Sequence, residues 1–269
     1  MIDFIYGTAW KEEQTAELTE AAVRAGFRAI DTANQRKHYF EAKAGEGLRA
    51  VYRAGVVSRA DLFLQTKYTY LIGQDHRLPY DPKAPLAMQV AQSLESSLEN
   101  LGTDHVDSFL LHGPAAAYGW SEHDQEVWGA MLTEKDSGRA RAVGVSNVSL
   151  RHLEGMIELG AGLPQFVQNR CFARMRWDIG VRRFCAAHGI VYQGFSLLTA
   201  NEPVVSHPVV TGIARKHGAT NAQIIFQFAR RIGILPLTGT ASTEHMQQDL
   251  RSRSLELSDD DVAAIEGLG

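Results

Sequence analysis

Two cysteines, Cys171 and Cys185, are all that the 269 residues contain. They cannot build a disulfide framework, so reduced core thiols in a cytoplasmic chain are the expectation. Basic residues are not in excess: 27 Lys and Arg stand against 31 Asp and Glu, for a net charge of −4. That leaves little with which to grip a phosphate backbone, and nucleic acid is not an expected partner. No apolar run approaches the ~20 residues that a bilayer span requires, so a membrane is not expected either. Residues 1–6 lack a basic stretch followed by a long apolar run and read as a strand rather than a leader. A Gly-x-Gly-x-x-Gly fingerprint is missing too, which argues against a Rossmann dinucleotide site. No low-complexity linker divides the chain, and residues 1–269 are expected to form one domain.

What is present is an alternation. Short runs rich in β-branched and aromatic residues fall at 4–9, 28–33, 61–68, 106–113, 140–147, 166–170, 189–196 and 232–238. Amphipathic stretches lie between them, at 12–25, 41–54, 87–101, 124–137, 150–159, 179–188, 208–217 and 221–230. A further segment, 244–250, follows the eighth run, and Ser258 suits the N-cap of a last helix opened by Asp259, Asp260 and Asp261. Eight β-then-α units predict a parallel sheet closed into a (β/α)8 TIM barrel, with an open doubly wound sheet as the alternative. The runs are almost continuously apolar, as in Ser108-Phe109-Leu110-Leu111, which suits strands covered on both faces. Gly26, Gly102, Gly138 and Gly189 each stand where a helix should stop before the next strand.

Polar residues at strand ends mark the expected site. Three runs finish on ionisable groups: Asp31, Lys67 and His112. In a barrel these ends ring one mouth, where a lone charge would be costly, so Asp31 and Lys67 are expected to pair. Any one of them is more simply a structural rim charge; three on neighbouring strands point to chemistry. A barrel hydrolase would want paired carboxylates or metal ligands there, and Asp31 is the one clear acid. The loops after runs three and four, 69–86 and 114–123, are long and carry Tyr70, Tyr80, Tyr118 and Trp120.

Several segments, in order, resemble the aldo-keto reductase family. They are Gly7-Thr8-Ala9-Trp10, residues 25–33, Thr66-Lys67, Leu110-Leu111-His112-Gly113-Pro114, residues 143–147, Gln168-Asn169 and Gln193-Gly194-Phe195-Ser196. The resemblance implies reduction of an aldehyde or ketone by a nicotinamide dinucleotide, with a small carbonyl compound as partner and no metal. It implies a tetrad of Asp31, Tyr39, Lys67 and His112. The family's usual tyrosine spacing falls on Arg36, but the stretch 34–40 is expanded, and Lys37-His38-Tyr39-Phe40-Glu41 resembles a subgroup version of this loop. Tyr39 is then the proton donor and His38 its lesser rival. Lys67, held by Asp31, would lower the phenol pKa, and His112 would orient the carbonyl.

By the same resemblance, Ser146, Asn147 and Gln168 would bind the carboxamide, Phe195 would stack on the nicotinamide, and Ser196 and Leu198 would meet the pyrophosphate. Gly239, Thr240, His245 and Asp249 fall at the 2′-phosphate end, where the family's strong basic clamp is missing and Asp249 would repel a phosphate if it faced inward. NADPH is the expected cofactor, with NADH as the alternative. The family's N-terminal hairpin and long C-terminal tail have no counterpart in these 269 residues. Trp10, Tyr70, Tyr80, Tyr118 and Trp120 are then the expected substrate walls, although each serves equally well as a loop anchor. The competing reading is a cofactor-binding regulatory subunit with vestigial activity. A monomer or weak oligomer is expected.

Overall fold

The computed structural model describes residues 2–269. Eight parallel strands close into a barrel in sequence order: β1 Ile5–Gly7, β2 Ala29–Asp31, β3 Phe63–Tyr68, β4 Ser108–Leu111, β5 Val143–Ser146, β6 Phe166–Arg170, β7 Val191–Phe195 and β8 Leu235–Thr238. Closure is explicit in the register, where Tyr6 of β1 pairs with both Ile30 of β2 and Thr238 of β8. All eight expected runs therefore become strands, and the doubly wound alternative is excluded. Several runs are trimmed at their ends, because residues extend beyond their neighbours' pairing partners; Val106 and Ala140 are left as an isolated bridge.

Helices return the chain outside the barrel. They are α1 Thr15–Ala25, α2 Glu41–Arg53, α3 Leu86–Leu101, α4 Glu122–Asp136, α5 Leu150–Glu158 and α6 Ile179–Ala187. The β7–β8 connection carries α7 Glu202–Val205, α8 Pro208–His217 and α9 Asn221–Arg231; α10 Thr243–Arg251 and α11 Asp259–Glu266 follow β8. The four expected glycine stops all adopt positive φ, from +67° at Gly189 to +119° at Gly26, a conformation other residues reach only with strain. Ser258 caps α11 as expected, its hydroxyl accepting the Asp261 amide. Among the described residues no helix is long and apolar enough to cross a membrane.

The alternation within strands places the site. Leu64 and Thr66 of β3 face the helices, whereas Phe63, Gln65 and Lys67 turn inward. Phe63 meets Phe166 edge-on at 5.6 Å, low in the barrel. Above them lies a polar layer: Gln65 and Gln193 exchange amide bonds of 2.8 and 2.9 Å, and Gln168 donates to Gln193 at 2.9 Å. Asp31 and Lys67 cap this layer at the C-terminal end of the strands.

Candidate active site

Lys67 is wholly buried, and its three ammonium hydrogens are all engaged. Two go to Asp31 Oδ1 and Oδ2 at 2.7 Å, and the third to Thr32 O at 2.8 Å. Gln65 and Gln168 also donate to Asp31 Oδ1, at 2.7 and 3.1 Å, so the carboxylate accepts four hydrogen bonds from three side chains. Buried charges are tolerable only when satisfied in this way. Burial pulls the Lys67 pKa down, but the Asp31 charge and the neighbouring Tyr39 outweigh it, and the net direction is upward. The lysine stays an ammonium.

Tyr39 sits on this pair. The chain leaves β2, turns at Gln35, whose carbonyl accepts both the His38 and Tyr39 amides, and then enters α2. The turn lowers the half-buried phenol into the barrel mouth, with Lys67 Nζ 5.1 Å from its ring centroid. The His112 ring approaches it edge-on, 5.8 Å between centroids. Burial raises the phenol pKa; Lys67 opposes this, Asp31 adds to it, and the net direction is upward. This corrects the expectation of a lowered value: the ammonium is neutralised by its own carboxylate, so its field does not offset lost hydration. Tyr39 is therefore held as a protonated phenol. His112 is pushed down to about 3, chiefly by burial and then by the Lys67 and His38 charges, and its ring is neutral.

Asp31, Tyr39 and His112 line a cavity of about 1190 Å³, with Lys67 buried behind Asp31. Of the expected cofactor residues, Ser146, Asn147, Gln168, Phe195, Ser196, Leu198, Gly239, Thr240, His245 and Asp249 all line it. The amide hydrogens of Asn147 go to His112 O at 2.8 Å and Ser146 Oγ at 3.2 Å, and those of Gln168 to Asp31 and Gln193. The amide oxygens of Asn147 and Gln168 keep no protein partner among the described residues. Trp10, Asn147 and Ser196, all cavity-lining, hold positive φ of 62°, 56° and 57°, local strain of the kind found at functional sites. No group of three or more His, Cys, Asp or Glu among the described residues could hold a metal ion.

A model of the aldo/keto reductase family matches residues 5–201. This chain belongs to that family. An aldo-keto reductase of Mycolicibacterium vanbaalenii is 33% identical over 249 residues, covering 92% of this chain and 81% of its own. An uncharacterized oxidoreductase of Bacillus subtilis, YtbE, is 29% identical over 260 residues, covering 95% and 85%. Among solved structures, an aldo/keto reductase from Brucella melitensis superposes with a TM-score of 0.83 at 25% identity, over 99% of this chain and 95% of that one. A Bombyx mori aldo-keto reductase crystallised with NADP shares the fold, with a TM-score of 0.81 at 22% identity over 99% and 88%.

Against this family frame, the expected aromatic walls divide. Trp10 and Tyr70 line the cavity; Trp10 is 70% exposed and lies on the His38 ring at 4.1 Å. Tyr118 and Trp120 do not line it. Tyr118 is 78% exposed, while Trp120 is buried, donates to Gln125 Oε1 and meets Trp128 edge-on at 6.3 Å. Trp120 anchors its loop on α4 and does not line the cavity. Tyr80 is likewise a buried anchor, donating to Thr69 O at 2.8 Å.

Asp249 does reach the cavity, but its carboxylate accepts the Thr238 hydroxyl at 2.9 Å, and burial raises its pKa to about 6. Three contributors went unread in the sequence. Lys11 lines the cavity and donates to Gly239 O; its signal is a lysine directly after Trp10 in the β1 turn. Arg170 lines the cavity with its guanidinium 5.5 Å from the Phe195 ring centroid. Thr69, the first residue past β3, bonds His112.

Proposed function

We propose that the chain reduces an aldehyde or ketone to an alcohol at the expense of NADPH, with Tyr39 as proton donor. The observation that carries this reading is the convergence of Tyr39, the Asp31–Lys67 pair and His112 at one cavity. The residues present fit a nicotinamide dinucleotide. Asn147 and Gln168 offer amide oxygens to a carboxamide, Phe195 offers a ring face, and Lys11, beside Gly239, offers a cation. The cavity also exceeds the ~300–1,000 Å³ of an ordinary small-molecule pocket. The bound cofactor supplies hydride to the carbonyl carbon.

The protein's part is the oxygen. Negative charge grows on the carbonyl oxygen as its carbon is reduced, and donors aimed there stabilise it. His112, neutral, donates a hydrogen bond and orients the carbonyl. Tyr39 gives its hydroxyl proton to the oxygen, the O–H bond breaking as the alcohol O–H forms. The phenolate left behind rests against the Lys67 ammonium until water reprotonates it. Burial holds the proton on Tyr39 before the reaction, and the Lys67 ammonium is the group that favours the phenolate once the proton has left.

NADPH rather than NADH is favoured by Lys11 and by the amides opening α10 behind Gly239 and Thr240, which suit an anion. The competing reading, a regulatory subunit with vestigial catalysis, predicts binding without turnover. Rapid mixing of the NADPH-loaded protein with a reactive aromatic aldehyde separates the two. Cofactor oxidation within a single turnover is the expected result; tight NADPH binding with no oxidation across an aldehyde panel would end the reductase reading.

A further inference from the structure

The register of β3 and β4 pairs Tyr68 with Leu111, and the His112 amide donates to Tyr68 O at 2.8 Å. The next residue on each strand is therefore brought side by side. Thr69 Oγ1 lies 2.7 Å from His112 Nδ1, with Thr69 itself buried. Thr69 does not float there. Its carbonyl accepts the Tyr80 hydroxyl at 2.8 Å and the Gln74 amide at 3.4 Å, and Gln74 also donates to Asn34 O at 2.9 Å. The hydroxyl position is thus fixed from behind by the long loop after β3.

We infer that Thr69 is a positioning residue that sets the tautomer and ring plane of His112, an inference that rests on the carbonyl-orienting role given to His112 above. Among the described residues, Thr69 Oγ1 has His112 Nδ1 as its one bonding partner. A buried hydroxyl hydrogen seeks an acceptor, and Nδ1 is the acceptor within reach. If Thr69 donates, Nδ1 is unprotonated and the ring hydrogen sits on Nε2, which has no protein partner and is free for the cavity. If instead Nδ1 held the hydrogen, the Thr69 O–H would go unused and Nε2 would turn a lone pair toward the carbonyl oxygen. That arrangement repels where the reaction needs a donor. In this way Tyr80, Thr69 and His112 form a relay of position from the loop to the reacting oxygen.

Two variants test this: Thr69→Val, which keeps the shape and removes the hydroxyl, and Thr69→Ser, which keeps the hydroxyl. Long-range 1H–15N spectra of histidine-labelled protein read the ring directly, with the His112 signals assigned by their loss in His112→Gln. The wild type should show an unprotonated Nδ1 carrying the shift of a hydrogen-bonded acceptor. In Thr69→Val that signal should move to the value of a free imine nitrogen, and in Thr69→Ser it should stay. In parallel, kcat/KM for an aldehyde should fall about ten- to a hundredfold in Thr69→Val, the range for lost orienting bonds, with the NADPH Kd within about twofold. Thr69→Ser should recover most of it. A wild-type ring protonated on Nδ1, or an Nδ1 shift that Thr69→Val leaves unchanged, overturns the inference. The spectra decide it even if no aldehyde is reduced, so failure of the reductase reading and failure of this one are separate results.

Discussion

Removing the Asp31 carboxylate should cost far more than an ordinary ion pair is worth. The side chains of Lys67 and Asp31 are 1% and 3% exposed, and both carboxylate oxygens hold the ammonium at 2.7 Å. Asp31→Asn leaves the buried ammonium with Thr32 O and one amide oxygen. An uncompensated charge of this kind costs about 3–5 kcal/mol. Lys67→Met leaves the carboxylate with its Gln65 and Gln168 bonds, so its loss should fall near the lower end of that range. The double variant buries no charge and should lose less than the single losses together, with a coupling of about 2–3 kcal/mol. Because the folded lysine pKa is raised, this stabilisation is fully present below the unfolded value of 10.5 and disappears only as pH rises through the folded one. The wild-type contribution should therefore be flat from pH 6 to 9, whereas in Asp31→Asn burial acts on Lys67 without its counter-charge and depresses its pKa, so the deficit should be largest at low pH and shrink as pH rises. Urea unfolding followed by tryptophan fluorescence and circular dichroism measures all four proteins. A double variant that is additive within ~0.5 kcal/mol would refute the reasoning, since it would mean that the two charges are solvated separately.

Asp249→Asn removes a buried carboxylate whose folded pKa, about 6, lies above the usual 3.8. The wild-type carboxyl is best tolerated below the unfolded pKa and becomes a burden as pH rises through about 6, so the variant should gain up to about 2–3 kcal/mol at pH 8 and almost nothing at pH 4, by urea unfolding. The same variant should tighten NADPH more than NADH in fluorescence titrations. Lys11→Met should weaken NADPH about tenfold with little effect on kcat, read by the same titration. Trp120→Ala should lose about 3–5 kcal/mol of stability, as for other buried tryptophans, yet leave KM for aldehydes unchanged; a rise in KM would return Trp120 to the substrate wall.

The barrel was legible because its signals are local. Apolar runs of strand length, glycine stops and the Ser258 cap each act within a few residues, and β6 and α8 fall on their expected bounds, 166–170 and 208–217. The short α7 escaped notice because four residues carry no periodicity, and the left-handed run at Arg176, Trp177 and Asp178 because none is a glycine. In the site, charged strand ends announced Asp31, Lys67 and His112, and family resemblance supplied Tyr39. What stayed hidden depends on register and on side-chain direction. Gln65 and Gln193 meet only because the barrel closes, Thr69 reaches His112 only because β3 and β4 pair as they do, and Lys11 meets Gly239 across 228 residues of sequence. Tyr118 and Trp120 misled because a loop aromatic says nothing of which way it faces.

The Tyr39 hydroxyl is the group on which the proposed chemistry most directly depends. NADPH-loaded Tyr39→Phe, mixed rapidly with a reactive aromatic aldehyde, should lose at least about a thousandfold in single-turnover cofactor oxidation, the upper reach of acid catalysis, while NADPH Kd stays within about twofold. His38→Gln should keep most of the wild-type rate. A Tyr39→Phe rate within about tenfold of wild type, with the cofactor bound normally, would contradict the proposed chemistry while leaving the barrel intact.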